Sequence, residues 1–280
     1  MTVQVRWPAV DMLAGEMVAA ARDRGGLLLV TDFDGTVAPI VARPGEARPL
    51  AAAHAALRRL AGLAAAPVPV LVAVVTARDS DDVAARLPLG GSAVMVGSAG
   101  LERLDGDRIV YHPDVEPWLV PLAAATADLE RGLAAGRCPG ARLERRHCGS
   151  VLHTRGIRRP EADSEAMGLA REVALERGLR IVAGKRTVEV RVPVDRDKAD
   201  AVADLRARPG WGSTALVAAG DDLPDLEMLA LASSTPGGFG VAVADSETPG
   251  AVLDVASAAV EGPWAWAQVL GALAQRLAPA

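Results

Sequence analysis

Residues Leu27–Ile40 read LLLVTDFDGTVAPI. The opening LLLV is a short continuous apolar run, the pattern of a strand buried on both faces of a parallel sheet rather than on one. It ends at Thr31 and delivers Asp32 and Asp34 at its C-terminal edge, which is where open α/β sheets bind ligands. Two carboxylates one residue apart on a strand end point the same way, and like charges that close are costly unless a cation lies between them. Asp-Gly is also common in turns. A hairpin, however, needs no two acids before its turn, and Pro39 interrupts the run that follows.

Working outward, VPVLVAVV (Val68–Val75), SAVMVG (Ser92–Gly97), TALVAAG (Thr214–Gly220) and FGVAVA (Phe239–Ala244) are runs of the same kind. Helical patterns lie near Asp11–Asp23, Leu50–Ala64 and Asp79–Leu87. Strands alternating with helices predict an α/β fold built on a doubly wound parallel sheet. The middle of the chain departs from this rhythm. After Tyr111 come a helical stretch, ARLERR and SVLHTR, a helix near Pro160–Arg177, then LRIVAG and RTVEVRV. This α-β-β-α-β-β order predicts a small, mainly antiparallel α+β cap. The expected division is residues 1–114 and 193–280 as the core and 115–192 as the inserted cap.

The 280 residues suffice for such a core and insertion. Half of them are hydrophobic but only 3% aromatic, so the interior must be built from Ala, Val and Leu. A net charge of −5 argues against a nucleic-acid or anionic-membrane partner. Any anionic ligand must therefore meet local positive charge. Cys138 and Cys148 show no metal-binding spacing and read as reduced. No basic stretch followed by an apolar one marks the N-terminus, and no run is long enough to span a bilayer, so a cytoplasmic monomer is expected.

A carboxylate can attack phosphorus to give an acyl phosphate that water then opens, and Asp32 suits that role. Asp34 would protonate the departing alkoxide and then take a proton from the attacking water. Both reacting partners are anionic, so a divalent cation is needed, and hard oxygen ligands favour Mg²⁺. AAGDDLPDLEML places Asp221, Asp222 and Asp225 directly after another buried run. An acid there can hold the metal, cap the following helix, or both. In VVTARDSDD, Thr76 ends a strand and is expected to grip a phosphate oxygen, with Arg78 a further substrate-binding candidate. Lys198, among Asp195, Asp197 and Asp200, alone would read as a solvated surface charge.

In this order, DFDGT, Thr76, Lys198 and GDDLPD resemble the four motifs of the haloacid-dehalogenase superfamily of phosphatases. The resemblance implies a Rossmann-like core with Asp32 and Asp34 as catalytic acids. It also implies Mg²⁺ held by Asp32, the Asp34 carbonyl and Asp221, with Asp225 supporting the metal. The cap position and its element order resemble the trehalose-6-phosphate phosphatases. DFDGTVAPI is similar to that family's DYDGTLxPI, LERRHCGSVLHTR to its ExK…HYR, and GKRTVEVRVP to its GKxxxEVRP. By that resemblance Glu144, Arg146 and Glu189 would hydrogen-bond sugar hydroxyls, with His153 and Arg155 completing the substrate-binding set. A bare reading of the same residues is an exposed, alternately charged strand face.

Several positions depart from the pattern. The usual lysine is Arg146, HYR becomes His153-Thr154-Arg155, GDDxTDE becomes GDDLPDL, and Ala99 stands where a histidine is often found. None removes a catalytic group, so hydrolysis of trehalose 6-phosphate is the expected reaction. A related disaccharide-like phosphate, pseudo-sugar or glycosyl-glycerate, is the alternative. A non-catalytic sugar-phosphate sensor would be expected to have lost an acid, and none is lost. His54, His112 and His147 fit no motif, and Trp264 and Trp266 are expected to pack the last helix onto the core.

Overall fold

The computed structural model describes residues 5–41, 43–90, 92–184 and 186–279. The chain divides into two compact units, Met1–Val110 with Arg196–Ala280, and Tyr111–Asp195.

Among the described residues the elements run α1 (Val10–Asp23), β1 (Leu27–Thr31), α2 (Ala51–Ala61), β2 (Val70–Val75), α3 (Ser80–Arg86), β3 (Val94–Gly97), β4 (Glu102–Asp105) and β5 (Arg108–Tyr111). There follow α4 (Leu119–Ala134), β6 (Arg142–Arg146), β7 (Gly149–His153), α5 (Ala162–Leu175), β8 (Arg180–Gly184) and β9 (Thr187–Arg191). The chain closes with α6 (Lys198–Arg206), β10 (Ala215–Gly220), α7 (Leu226–Ser234), β11 (Phe239–Ala244), α8 (Gly250–Val255), β12 (Ala258–Glu261) and α9 (Gly262–Leu277).

The larger sheet has the order β12-β11-β10-β1-β2-β3-β4-β5. Pairing is parallel from β12 to β3 and antiparallel between β3 and β4. β1 lies at its centre, and its five residues are all buried. Leu27 and Leu29 enter one core with Leu13 and Met17 of α1, Leu57 of α2 and Leu270 of α9. Leu28 and Val30 enter a second core with Val202 of α6, Met228 of α7 and Val252 of α8. Because alternate residues feed opposite layers, Leu27 to Val30 are all apolar, which is why the run is continuous rather than alternating. Each buried Leu or Val contributes roughly 1.5–3 kcal/mol.

Four elements went unforeseen in the sequence. The β4–β5 hairpin turns at Gly106-Asp107, and its strands, ERLD and RIVY, are four residues each, too short to show a period. α8 and β12 are too short and Ala-rich to give a period. Trp266 is fully buried as expected, but Trp264 is 66% exposed, two residues earlier on α9 and turned away from the core.

The smaller sheet has the order β6-β7-β9-β8, antiparallel throughout. One face, including Leu152, Val188 and Val190, is buried, and α4 and α5 pack against this sheet. Register puts Glu144, Val151 and Glu189 side by side on the other face.

Candidate active site

β1 stops at Thr31 because the chain there turns sharply. Phe33 is fully buried, Gly35 takes φ +72°, and its N–H donates to the Ala38 carbonyl at 2.8 Å. Asp32 stays tied to the sheet, its N–H donating to the Ala219 carbonyl at 2.9 Å, and its side chain is buried. With Phe33 drawn into the core and the turn closing at Gly35, the Asp34 carboxylate pairs with Arg78.

Lys198 is 2% exposed, not a solvated charge. Asp197 caps the helix it opens, accepting from the Ala199 and Asp200 amides. Its ammonium lies 2.9 Å from Asp32 Oδ1 and 2.6 Å from Asp225 Oδ1. The other Asp225 oxygen accepts from the Asp221 and Asp222 amides at 2.9 and 3.2 Å. Asp225 thus spends both oxygens on holding Lys198 and the loop after β10. Asp222 caps the short turn that follows, accepting from the Leu223 amide.

Asp32, Asp221 and Asp225 each offer a carboxylate oxygen within 4.8 Å of the others. Burial pushes the Asp32 carboxyl up to about 7, reinforced by Asp225 and opposed by Lys198. Burial likewise pushes Asp221 up to about 8, reinforced by the charges of Asp32 and Asp225 and opposed by the Thr36 hydroxyl and Lys198. Three acids facing one ammonium leave the cluster short of positive charge, and hard oxygen donors so arranged fit a divalent cation. The backbone makes room for it. A Cβ on Gly35 would fall inside the Asp221 carboxylate, and one on Gly220 inside that of Asp225.

Thr76 is buried at the end of β2, and its hydroxyl oxygen accepts from the Arg78 amide at 3.2 Å. Arg78 donates Nε to Asp34 Oδ2 at 2.6 Å and Nη2 to Asp34 Oδ1 at 2.8 Å. Its Nη1 donates to Asp82 Oδ2 at 3.0 Å and Nη2 also to the Pro44 carbonyl at 2.8 Å. Asp82 in turn accepts from Arg86 Nε at 2.9 Å. Burial works to raise Asp82, but the hydrogen bonds from Arg86 and Arg78 outweigh it and hold the carboxyl below its ordinary value. Sequence reasoning missed Asp82 and Arg86. Their signal was the spacing of Arg78, Asp82 and Arg86 at steps of four, one helix face of alternating charge.

In the smaller unit, Glu144 accepts from Arg146 Nε at 2.8 Å and pairs with His153 Nε2 at 2.7 Å. The His153 bond, helped by Arg146 against the effect of burial, holds the Glu144 carboxyl down at about 2. Glu189 lies over Gly149, where a Cβ would collide with its carboxylate. Glu144, Arg146, His153 and Glu189 share the sheet face opposite the buried one. Arg155 lies beyond β7 in an exposed turn. Lys185 of the GKRTVEVRVP stretch lies outside the described residues. Of the other histidines, His54 Nε2 meets the Pro88 carbonyl at 3.0 Å and His147 stacks edge-on with Tyr111. Both cysteines are buried thiols outside any disulfide. Among the described residues no helix is long and apolar enough to cross a membrane.

The chain superposes on a solved haloacid dehalogenase-like hydrolase from Bacteroides thetaiotaomicron with a TM-score of 0.53 at 16% identity, over 84% of this chain and 93% of that one. The central parallel sheet, with acids after its strand ends and a buried lysine opening α6, thus has the haloacid-dehalogenase fold. A closer likeness, TM-score 0.71 at 20% identity over 97% of this chain and 99% of that one, is to the C-terminal domain of a C. albicans trehalose-6-phosphate phosphatase. In sequence, a trehalose-phosphate phosphatase of Mycobacterium marinum is 32% identical over 254 residues. That match covers 88% of this chain, which spans 61% of the relative's length. Residues 30–255 match the trehalose-phosphatase family, and the chain belongs to it.

Proposed function

We propose that the chain is a phosphoric monoester hydrolase that converts trehalose 6-phosphate to trehalose and phosphate through an aspartyl-phosphate on Asp32. The observation that carries this reading is Asp32 itself, buried at the end of the central strand with an ammonium 2.9 Å from one oxygen. Lys198 opposes the upward push of burial on that carboxylate and would balance the charge of an incoming phosphate. The Asp32 oxygen attacks phosphorus and the bond to the sugar oxygen breaks, with Asp34 giving the leaving oxygen its proton. Asp34 then removes a proton from water, which opens the acyl phosphate and returns Asp32. The Thr76 hydroxyl keeps its proton free to donate to a phosphate oxygen. Asp225 positions Lys198 and the loop that carries Asp221.

The Asp32 and Asp221 carboxylates and the Asp34 main-chain carbonyl would hold Mg²⁺, which would supply positive charge to neutralise the transferring phosphoryl group. On the smaller unit, the joined Glu144, Arg146 and His153, with Glu189 and Arg155, are the proposed sugar-binding residues. Arg in place of Lys at 146 keeps the charge and changes the donor geometry. We take residues 111–195 to act as a specificity cap, and a single chain to suffice, since all the residues invoked belong to it.

The test is phosphate release with Mg²⁺ from trehalose 6-phosphate and a panel of mono- and disaccharide phosphates, with Asp32→Asn as control. Selective release from trehalose 6-phosphate, lost in the variant, supports the proposal. Activity on another disaccharide phosphate alone moves the substrate and keeps the chemistry. No release from any member refutes it.

A further inference from the structure

The guanidinium of Arg78 is almost fully committed. An arginine has five N–H donors, and four contacts are already made, two to Asp34, one to Asp82 and one to the Pro44 carbonyl. The Phe33 ring covers one of its faces, 5.3 Å from centroid to Cζ. Its side chain is only 12% exposed. A group so spent cannot offer a phosphate or a sugar the two parallel N–H bonds that make arginine useful as a grip.

The surroundings fix it further. Asp82 takes Nη1 and is itself held by Arg86, and Arg86 also donates to the Gly45 and Ala47 carbonyls at 2.9 and 3.1 Å. The segment 43–47 is thereby tied to the same chain of alternating charges. The backbone is braced from another side. Ser98 N–H donates to the Arg78 carbonyl at 2.7 Å and Ala99 N–H to the Thr76 carbonyl at 2.8 Å. Ser98 and Ala99 hold φ of 49° and 54° to do so, a left-handed conformation that non-glycine residues adopt only at a cost.

We infer that Arg78 is a positioning residue for Asp34, not a substrate contact: its bidentate pair fixes where the Asp34 carboxyl sits, with Asp82 and Arg86 fixing Arg78 in turn. The inference rests on the phosphatase reading above. Arg78 bonds both Asp34 oxygens, so the plane of the carboxyl that would meet the leaving oxygen is set before the ester arrives. Losing Arg78 should leave ester binding intact and misplace the acid.

Steady-state kinetics of wild type, Arg78→Gln, Arg78→Lys and Asp82→Asn on the best sugar phosphate of the panel test this, with circular dichroism to confirm folding. Arg78→Gln should lower kcat about a hundredfold, the lower range for a positioned acid-base group, with KM unchanged. Arg78→Lys should recover part of that loss, since an ammonium can still hold one Asp34 oxygen. Asp82→Asn, remote from any ester, should lower kcat alone. A second readout is the burst of 4-nitrophenolate from 4-nitrophenyl phosphate, which leaves without a proton and should form at the wild-type rate in Arg78→Gln. A raised KM with kcat retained, or a lost burst, would overturn the inference and leave the phosphatase reading standing. If Arg78→Gln does not fold, an unchanged kcat in Asp82→Asn overturns it. No turnover by wild type on either kind of ester removes both.

Discussion

Replacing Lys198 by Met removes the single ammonium that lies between two buried carboxylates, Asp32 at 2.9 Å and Asp225 at 2.6 Å. Met fills most of the space, so the loss is electrostatic rather than a cavity. Breaking a buried ion pair from one side costs about 3–5 kcal/mol, because the partner charge stays buried without compensation. At roughly 2–4 °C per kcal/mol for a unit of this size, the core should melt about 10 °C lower. The sign with pH follows from the carboxyls. Asp32 already has its folded-state value raised to about 7, so its contribution is full below the ordinary carboxylate range and is lost as pH rises through 7. Without Lys198 opposing that shift, the charged form is penalised more, and the gap between wild type and variant should widen from pH 5.5 to pH 8. Urea unfolding of the metal-free proteins at the two pH values measures it. A loss under about 1 kcal/mol at pH 8, within the range of an exposed pair, or a gap that does not change with pH, would refute the account of Lys198 as a buried counter-ion.

Three further outcomes are expected. Gly35→Ala, which drives a methyl into the Asp221 carboxylate and strains a left-handed residue, should weaken Mg²⁺ binding about 10–100-fold by calorimetry, the range for disturbing a ligand's support. Since Asp32 and Asp221 both carry raised values, the metal-free protein should lose thermal stability from pH 5 to pH 9, and added Mg²⁺ should restore more at the upper end. Trp266→Ala, at a fully buried site whose indole donates to the Thr31 hydroxyl at 3.3 Å, should cost about 3–5 kcal/mol in denaturant, whereas Trp264→Ser, on the exposed side of the same helix, should stay within about 0.5 kcal/mol.

The parts of the fold legible in the sequence were those where both faces of a strand are buried. Leu27–Val30 and Val70–Val75 must be apolar at every position, and each such run proved to be a strand. The hairpin of Glu102–Tyr111 sits at the sheet edge, where no such demand acts, and its four-residue strands are too short to show a pattern. At the site, Asp32, Thr76 and Asp221 could be found because acids and a hydroxyl directly after buried runs are unusual. Lys198 was legible through the order of the motifs alone, since its neighbours Asp195, Asp197 and Asp200 disguise a residue that is 2% exposed. The pairing of Asp34 with Arg78 was not legible. It depends on Phe33 being drawn into the core and on the tight turn at Gly35, neither of which a two-residue strand period contains. On the smaller sheet, alternation placed Glu144 and Glu189 on one face, but the bond joining Glu144 to His153 needed the register of two strands.

The central strand also sets the order in which the protein can be completed. Leu27 pairs with Ala215 on one side and Val70 on the other, so one neighbour of β1 follows it closely while the other waits until the whole of Tyr111–Asp195 has intervened. Contacts this distant in sequence slow folding, because the intervening chain must be closed into a loop first. Asp32 takes its main-chain bond from the late neighbour, at the Ala219 carbonyl, and its ammonium from Lys198. During synthesis from the N-terminus Asp32 is therefore made early and given its partners last, and a chain truncated before α6 has an acid at residue 32 with neither Lys198 nor the Ala219 carbonyl beside it.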